Sequence, residues 1–400
     1  MRRAVAGALA AALLLAALAG CATGRGGDGE HVEADAAPYR IGLIASRSGA
    51  GSAFGEQQFE STAWAVDRLN RAGGVDGHPL EIVYRDDASE PERGAEVMRE
   101  LIEEEDVVAV IGPTLSIVAR EAHPVANSLR TPVLAISNAV DGIVGACPYA
   151  CEWIWRESLG ERLAVQANVS AYVLDGRPRT AATVRTSDDV LGLAGTTYAQ
   201  QAFEDNGVPV IGSLEMGVDE TMSDELARLL ARQPDALFLG STFTAWVVGV
   251  MREARALGYT GQFLAGNIFN SETARELAGE AGVGTRTGAA WVRSNGFPAN
   301  EAFIDEYERA LGREPDQFDA QGYVAIQILA DALARAEPEG LPIERQREAL
   351  QAALPDVAIN TVLGPFRFTP EHDVDQIVWV LRLGEDRHEL VAFCDPDCTG

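Results

Sequence analysis

From residue 39 onward, the chain alternates between two spacings of its apolar residues. Short runs of consecutive apolar residues predict strands that are buried on both faces. Longer segments with an apolar residue every three or four positions predict amphipathic helices. The first of these helices, over 55–74, places Phe59, Ala63, Val66 and Leu69 on one face.

Predicted strands and helices follow one another in regular turn. The strands are predicted at 39–46, 79–87, 107–113, 131–138, 179–187, 208–215, 235–241 and 262–267, with a hairpin-like pair over 364–383. The helices are predicted at 55–74, 90–105, 116–130, 159–174, 190–207, 224–233, 245–258, 300–312 and 320–336. This alternation is typical of α/β folds with parallel sheets, and because it occurs twice the sequence predicts two α/β units.

The first twenty residues form a separate segment. Arg2 and Arg3 precede an alanine-rich apolar stretch that is short for a membrane span, and small residues lead directly into Cys21. This pattern resembles a bacterial lipobox, in which the cysteine receives a lipid before the signal peptide 1–20 is removed. A plain secretory signal with a chance cysteine is the alternative. Residues 21–38 are rich in Gly, Ala and acidic residues and predict a flexible tether, so the protein is expected outside the cytoplasm, held to a membrane by lipid.

The net charge of the chain disfavours nucleic acid as a partner. The chain has 60 acidic residues and 32 basic ones, and its formal net charge is −28. A chain this acidic is disfavoured as a partner of nucleic acid. Because the chain contains no lysine and much alanine and arginine, a composition bias of the whole proteome explains most of the imbalance, and we infer no ligand from it.

Four cysteines besides Cys21 form two C-x3-C pairs. An exported chain permits disulfides, and pairing within each motif gives Cys147–Cys151 and Cys394–Cys398. A metal site is the alternative, but the five histidines are scattered along the chain. The sequence therefore predicts two local disulfides and no metal.

Signatures of catalysis are absent from the sequence. It contains no G-x-S-x-G, H-E-x-x-H or C-x-x-C motif and no P-loop. Acidic pairs such as Asp86–Asp87 and Asp188–Asp189 are too common in an acidic chain to indicate a catalytic site. We therefore expect neither an enzyme nor a bound cofactor.

Five segments, in their order and spacing, resemble one family, the leucine/isoleucine/valine-binding proteins. They are 41–96, 107–122, 131–140, 236–258 and 364–373. The resemblance extends over residues 39–390. It implies an extracytoplasmic solute-binding protein of an ABC importer, with the type I periplasmic-binding fold: two α/β lobes, each with a doubly wound parallel sheet, joined by three crossings of the chain. On this basis, the first lobe comprises 39–158 and 291–364, the second lobe 159–290 and 365–393, and a tail 394–400.

Ligands of open α/β sheets bind beyond the carboxyl ends of strands, near helix N-termini. The resemblance places Ser116 against a ligand carboxylate, although a helix N-cap is the alternative role. It places the backbone of Ala139 and the ring of Phe54 against the ligand, with a core aromatic as the alternative for Phe54. Thr242 stands where the family often has a tyrosine, which puts that contact in doubt. Arg47 follows the first strand and could clamp a carboxylate, or make a surface ion pair.

Two positions bear on specificity. In the family, the amino group of the ligand meets a threonine after the fourth strand and an acidic residue in the second lobe. Here these positions align with Asp141 and Asn267, unless the alignment is displaced by one or two residues. Asp141 beside Ser116 would repel a ligand carboxylate unless it is paired. Arg47 could pair with it, and a ligand that is cationic or neutral at this point is the alternative. The sequence therefore predicts weak or absent binding of leucine, isoleucine and valine.

These observations predict a lipid-anchored solute-binding protein that delivers a small polar ligand, an amino acid or a related compound, to the permease subunits of an ABC importer. The alternative is a ligand-sensing subunit of a membrane receptor with the same fold. No signalling domain or second membrane segment follows in the sequence, which favours the importer.

Overall fold

The computed structural model describes residues 36–218 and 223–394. The predicted signal peptide 1–20, the lipidation site Cys21, most of the tether 21–38, and Cys398 with nearly all of the tail 394–400 lie outside the described residues.

Five parallel strands form the first sheet. In spatial order they are β2 (Leu80–Arg85), β1 (Tyr39–Ile44), β3 (Ala109–Ile111), β4 (Val133–Ala135) and β5 (Ile154–Arg156). The helices between the first four are α1 (Ser52–Arg71), α2 (Pro91–Glu103) and α3 (Ser116–Ser128). All residues of β3 and β4 are buried, as their continuous apolar runs predicted.

Seven strands form the second sheet. In spatial order they are β15 (His388–Cys394), β14 (Val378–Leu383), β10 (Arg286–Ala289), β9 (Gln262–Ala265), β8 (Ala236–Gly240), β6 (Ala181–Thr186) and β7 (Val210–Met216). The five strands from β6 to β10 are parallel, whereas β14 and β15 pair antiparallel at one edge. Its helices are α4 (Glu161–Gly176), α5 (Val190–Asp205), α6 (Ser223–Leu230), α7 (Thr244–Ala256) and α8 (Glu272–Gly282), with a 3-10 turn at Asn267–Phe269.

After β10 the chain returns to the first sheet. Its helices there are α9 (Pro298–Leu311), α10 (Gln317–Ala336) and α11 (Ile343–Ala353), followed by a 3-10 turn at Leu354–Asp356. A small antiparallel sheet follows, made of β11 (Ala358–Thr361), β12 (Gly364–Phe368) and β13 (Val374–Asp375). Side chains of α9, α10 and this small sheet share one hydrophobic core with β1 and α1.

The chain therefore crosses between two lobes three times, after β5, after β10 and after β13. The third crossing differs from the boundary at 364/365 that the sequence suggested. Because β12 pairs with β11 and β13, and Phe366 and Phe368 lie in the core of the first lobe, the chain enters the second lobe only between Asp375 and Val378. The predicted hairpin-like pair over 364–383 is accordingly three strands, of which β12 and β13 pair in the small sheet and β14 belongs to the second sheet.

The predicted local disulfide Cys147–Cys151 is present, in the loop between β4 and β5, with 6.4 Å between the Cα atoms. Cys394 is also disulfide-bonded. Its predicted partner, Cys398, lies outside the described residues, so that pairing stays a prediction.

Candidate ligand-binding site

A cavity of about 140 Å³ lies between the two lobes, where strand ends and helix N-termini of both lobes meet. We call it the ligand cavity. Its lining consists of Ala50, Phe54, Ser89, Thr114, Leu115, Ser116, Ile117, Ser137, Ala139, Asp188, Asp189, Val190, Leu191, Thr242, Phe243, Asn267, Ile268 and Phe318. Apart from Phe318 of α10, these residues follow the carboxyl ends of parallel strands in both sheets, which is where α/β folds bind ligands.

The start of α3 supplies the first-lobe side of the ligand cavity. Leu115 occupies the N-cap position, and no side chain caps the helix, so the positive end of the helix dipole faces the cavity without a side-chain partner. Ser116, the first helical residue, is 7% exposed, and its hydroxyl has no hydrogen-bond partner in the described residues. A hydroxyl without a partner, on a buried residue beside unused backbone N–H groups, is suited to an anionic group of a ligand.

Polar side chains behind this loop fix its position. The Thr114 hydroxyl donates to Gln58 Oε1 at 2.8 Å and accepts from the Ser46 N–H at 3.1 Å. Ser46 in turn donates to Asp87 Oδ1 at 2.6 Å. Asp87 is fully buried, and burial raises the pKa of its carboxyl group. These bonds tie the loop before α3 to the ends of β1 and β2.

Apolar side chains from both lobes form another part of the lining. The rings of Phe54 and Phe318, from α1 and α10, pack with centroids 4.6 Å apart. Ile268 and Leu191 of the second lobe pack against them. The site can therefore hold an apolar group of a ligand beside the polar start of α3.

Asp189 organises the second-lobe side of the ligand cavity. It caps α5, and its carboxylate accepts hydrogen bonds from the Leu191 N–H at 3.1 Å and the Thr186 hydroxyl at 2.9 Å. It also accepts from the backbone N–H of Thr242 at 2.5 Å and from the Thr242 hydroxyl at 2.8 Å. These four bonds join the end of β6 to the loop before α7, so Asp189 positions Thr242.

Asp188, unlike Asp189, is not held by hydrogen bonds within the described residues. Its side chain is exposed, it lines the ligand cavity, and its backbone has φ +54°. Within the described part of the chain, its carboxylate has no hydrogen-bond or ion-pair partner. No arginine lies among the described residues that line the cavity.

Glu161 connects both lobes just behind the ligand cavity. This first residue of α4 is 1% exposed, and its backbone N–H donates to the Ala139 carbonyl at 2.8 Å. Its Oε2 accepts from the Asn267 N–H at 3.2 Å. Burial raises the pKa of the Glu161 carboxyl group to about 7, and the charge of Asp189 adds to the increase. Asn267 also donates from Nδ2 to the Leu159 carbonyl at 3.3 Å, so the segment after the first crossing holds Asn267 in place.

Residues 38–388 match the periplasmic binding protein family. This match covers both lobes and the ligand cavity between them. The chain belongs to the periplasmic binding protein family. As the sequence predicted, this is a family of solute-binding proteins and not of enzymes, and its members work outside the cytoplasm.

Relatives of this periplasmic binding protein share its fold at low identity. The Leu/Ile/Val-binding protein of Escherichia coli is 22% identical over 359 residues, covering 84% of this chain and 88% of the relative. A leucine-binding protein from Thermotoga maritima superposes with a TM-score of 0.80 and 22% identity, covering 90% of this chain and 99% of the other. A solute-binding protein of an ABC transporter from R. palustris, solved with benzoate, has a TM-score of 0.78 and 20% identity, covering 90% and 97%. These likenesses confirm the two-lobe type I fold.

Over 36–218 and 223–394, no helix is long and apolar enough to cross a membrane. In the same residues, no group of three or more His, Cys, Asp or Glu side chains is arranged to hold a metal ion.

The structure brings five of the seven predicted contact residues of the periplasmic binding protein to the ligand cavity. These are Phe54, Ser116, Ala139, Thr242 and Asn267. A contact between these residues and a ligand stays a prediction. The hydroxyl group of Thr242 already donates its proton to Asp189, so it can only accept a hydrogen bond from a ligand. From the sequence, Asp188 and Asp189 are considered only as a catalytic pair and not as part of a binding site, and Glu161 is not predicted to contribute. The signal for the aspartates was their place between a predicted strand and a predicted helix.

The expected contact between Arg47 and a ligand carboxylate is not supported, because Arg47 does not line the ligand cavity in the described structure. Its guanidinium group donates to Glu56 at 2.6 Å and 2.9 Å and lies 4.0 Å above the ring of Phe59. Arg47 therefore makes the surface ion pair that was the alternative, and the suggested pairing with Asp141 is not formed.

Asp141 also lies outside the described lining of the cavity. It forms an ion pair with Arg162 at the start of α4, and the Arg162 guanidinium lies 4.4 Å above the ring of Tyr198. The side chains of Asp141 and Arg162 are 46% and 43% exposed. The expected repulsion between Asp141 and a ligand carboxylate therefore has no structural basis, because Asp141 is paired and lies outside the cavity.

Replacing Asp141 with alanine should weaken ligand binding by less than about fivefold. A half-exposed ion pair contributes about 0.2–1 kcal/mol, and here it links the β4–β5 loop to the second lobe without reaching the cavity. Isothermal titration of Asp141→Ala and the wild type with the same ligand measures the change. Complete loss of binding would show that Asp141 reaches the ligand after all.

Proposed function

We propose that this periplasmic binding protein is anchored to a membrane by a lipid on Cys21 and delivers a small polar ligand, an amino acid or a related compound, to the permease subunits of an ABC importer. The observation that carries the proposal is the ligand cavity, in which the unpaired hydroxyl of Ser116 and the uncapped start of α3 face the second lobe. Its relatives include an amino acid binding protein, a Leu/Ile/Val-binding protein and a solute-binding protein in complex with benzoate, and these support a ligand that bears a carboxylate.

In this proposal, the ligand carboxylate binds at the hydroxyl of Ser116 and the first N–H groups of α3. The Ala139 backbone and Asn267, both held by Glu161, contact the polar part of the ligand. Phe54 packs on its apolar part, and Thr242 completes the second-lobe side. Recognition needs only a difference in affinity between the closed and open arrangements of the lobes.

A thermal-shift screen over amino acids, small carboxylates, amides and polyamines tests the proposed function. A matching ligand should bind with micromolar or better affinity, about −8 kcal/mol, and should raise the melting temperature with the logarithm of its concentration once that concentration exceeds Kd. Small-angle scattering of the same sample should show closure. Saturation with an unchanged scattering profile would contradict closure. If no compound of the panel raised the melting temperature, the proposed function would be contradicted.

Leucine, isoleucine and valine should bind weakly or not at all. Asn267 stands where the resemblance implies an acidic partner for the ligand amino group, and its Nδ2 is a donor rather than an acceptor. Isothermal titration with leucine decides this point. A submicromolar Kd for leucine would overturn the prediction, and Asn267→Glu should increase the affinity for aliphatic amino acids if the prediction holds.

The lipid anchor is tested separately from ligand binding. Cys21→Ser expressed in a bacterial host should yield protein that is released from the membrane, whereas the wild type should stay with the membrane and incorporate a labelled fatty acid. Membrane retention of Cys21→Ser would contradict the anchor and leave the binding function untouched.

A further inference from the structure

The start of α10 bonds the first lobe to the second. Asp316 caps this helix, and its Oδ1 accepts from the Phe318 N–H at 2.9 Å. Its Oδ2 accepts from Gln57 Nε2 of α1 at 2.8 Å and from the Glu272 N–H of the second lobe at 3.2 Å. Glu272 is the first residue of α8, so its N–H has no partner within that helix. One carboxylate of the first lobe therefore satisfies the first N–H of a second-lobe helix.

The neighbouring Gln317 holds the same part of the second lobe. Its Oε1 accepts from Asn270 Nδ2 at 3.3 Å and from the Ala290 N–H, on the second crossing of the chain, at 2.7 Å. Asn270 lies in the segment 267–272, whose first two residues line the ligand cavity. The first lobe therefore holds, through the start of α10, a second-lobe segment that forms part of the binding site.

Asp316 is a buried acid without an ion-pair partner in the described residues. Burial raises the pKa of its carboxyl group to about 7, and the charge of Asp319 adds to the increase. The charged groups on the elements packed around it, which are α1, α8 and α10 with its preceding loop, are Glu60, Glu272, Arg275, Arg313, Glu314 and Asp319. Both arginines of this set are already paired with acids of the same set, so neither neutralises Asp316.

Gln57 can serve both protonation states of Asp316. Its Nε2 donates to the charged carboxylate, whereas its Oε1 is buried without a partner in the described residues. When Asp316 is protonated, the amide group of Gln57 can turn over, and its oxygen then accepts the carboxyl proton. Because a lone pair remains on Oδ2 for the Glu272 N–H, both states keep the bond between the lobes.

We propose that Asp316 is a positioning residue of the binding site, which holds segment 267–272 in the closed arrangement of the lobes and couples ligand affinity to pH. This rests on the proposed function. Opening separates Glu272 from Asp316 and admits water to the carboxyl group, which removes the burial that raises its pKa. The closed form therefore binds the proton more tightly than the open form. The resulting gain in ligand affinity is fully present near pH 4 and is lost as the pH rises through about 7.

Hydrogen exchange of the Glu272 amide tests the bond between the lobes without any ligand. In Asp316→Asn the side-chain oxygen still caps α10, but an amide nitrogen replaces Oδ2 and cannot accept from the Glu272 N–H. With the full mature chain, this amide should exchange at least fivefold faster than in the wild type at the same pH. Asp316→Ser, which also caps a helix but has no second oxygen for Glu272, should do the same and serves if Asp316→Asn does not fold.

Asp305→Asn, at an exposed position of α9, is the matched control, and its Glu272 amide should exchange like that of the wild type. Equal exchange rates in the wild type and both Asp316 variants would overturn the assignment of Asp316 and leave the proposed function standing.

Isothermal titration at pH 5.5 and 7.5 tests the coupling to pH. The probes are phenylalanine, benzoate, 4-aminobutanoate and glutamine, whose carboxylates stay ionised over this range. For each probe that binds, the ratio of the dissociation constants, Asp316→Asn over wild type, should rise about tenfold from pH 7.5 to 5.5. Other titrating groups, including Glu161, are common to both proteins and cancel in this ratio.

A ratio that stays constant between the two pH values would overturn the coupling, while binding of the probe would still support the proposed function. If neither these probes nor the wider thermal-shift panel contains a ligand, the proposed function is contradicted and the coupling fails with it. The exchange of the Glu272 amide then still shows whether Asp316 bonds the two lobes.

Discussion

Replacing Ser116 with aspartate should lower the affinity for the ligand by more than a hundredfold. The new carboxylate would lie at the start of α3, where the ligand carboxylate is proposed to bind, and two like charges about 4 Å apart at a partly buried site repel by about 4 kcal/mol. It would also accept hydrogen bonds from the N–H groups that the ligand needs. Isothermal titration, with the ligand found in the thermal-shift screen, measures the loss.

The fold should tolerate this substitution. An acidic residue in the first turn of a helix stabilises it by about 0.3–1 kcal/mol, so the melting temperature without ligand should not fall. Ser116→Ala should cost only about tenfold in affinity, since it removes one hydrogen bond and adds no charge. Ala53→Asp adds the same charge in the first turn of α1, outside the ligand cavity, and should bind like the wild type. Tighter binding by Ser116→Asp would show that the group bound there is cationic.

The contact residues that could be predicted from the sequence are those at strand ends. Ser116, Ala139, Thr242 and Asn267 each follow a continuous apolar run, and the carboxyl ends of parallel strands meet at one edge of a sheet. Their approximate position in the fold can therefore be predicted from the local sequence pattern alone. Asp188 also follows a predicted strand. In a chain with 60 acidic residues, however, an aspartate at that position does not by itself indicate a binding site.

The features that sequence reasoning missed depend on contacts between distant segments. The side chain of Arg47 is directed by Glu56 and Phe59, which only the packing of α1 against β1 brings within reach. The strand β5 is as short as β3 and β4, but it lacks the longer apolar run that marked them, because Glu152 and Arg156 bracket its apolar residues. The alternating pattern of β12 suits an edge strand in either lobe, and its partner β11 was not among the predicted strands.

Glu161 is the clearest case of a residue whose role is set by distant partners. Nothing in the local sequence distinguishes it from other acids at helix starts, yet it is buried between Ala139 of the first lobe and Asn267 of the second. A methyl group at Gly266 would lie 2.1 Å from Glu161 Oε1, so the chain passes directly over the carboxyl group. Burial disfavours the charged form and raises the pKa of Glu161 from 4.5 to about 7.

This shift makes the stability of the protein depend on pH. The folded state binds the Glu161 proton more tightly than the unfolded state, so the contribution of the protonated carboxyl group is fully present below about pH 4.5 and is lost as the pH rises through about 7. Asp316, whose pKa burial also raises to about 7, acts in the same direction. The buried His123 and His388, with pKa values lowered to about 4, act in the opposite direction between pH 4 and 6.5. Comparison with a variant isolates Glu161, because the other three groups are common to both proteins.

Glu161→Gln should therefore gain stability relative to the wild type as the pH rises from 4 to 8, by on the order of 3 kcal/mol over the whole range. Glutamine keeps the shape of the side chain and an oxygen that can accept from the Asn267 N–H, but it has no charge to desolvate. Urea unfolding at a series of pH values measures the difference between the two free energies of unfolding. Glu204→Gln, at an exposed position, is the matched control and should follow the wild type at every pH. A constant difference between Glu161→Gln and the wild type from pH 4 to 8 would mean that the pKa of Glu161 is the same in the folded and unfolded states, and the carboxyl group between the lobes would then be ionised at neutral pH despite its burial.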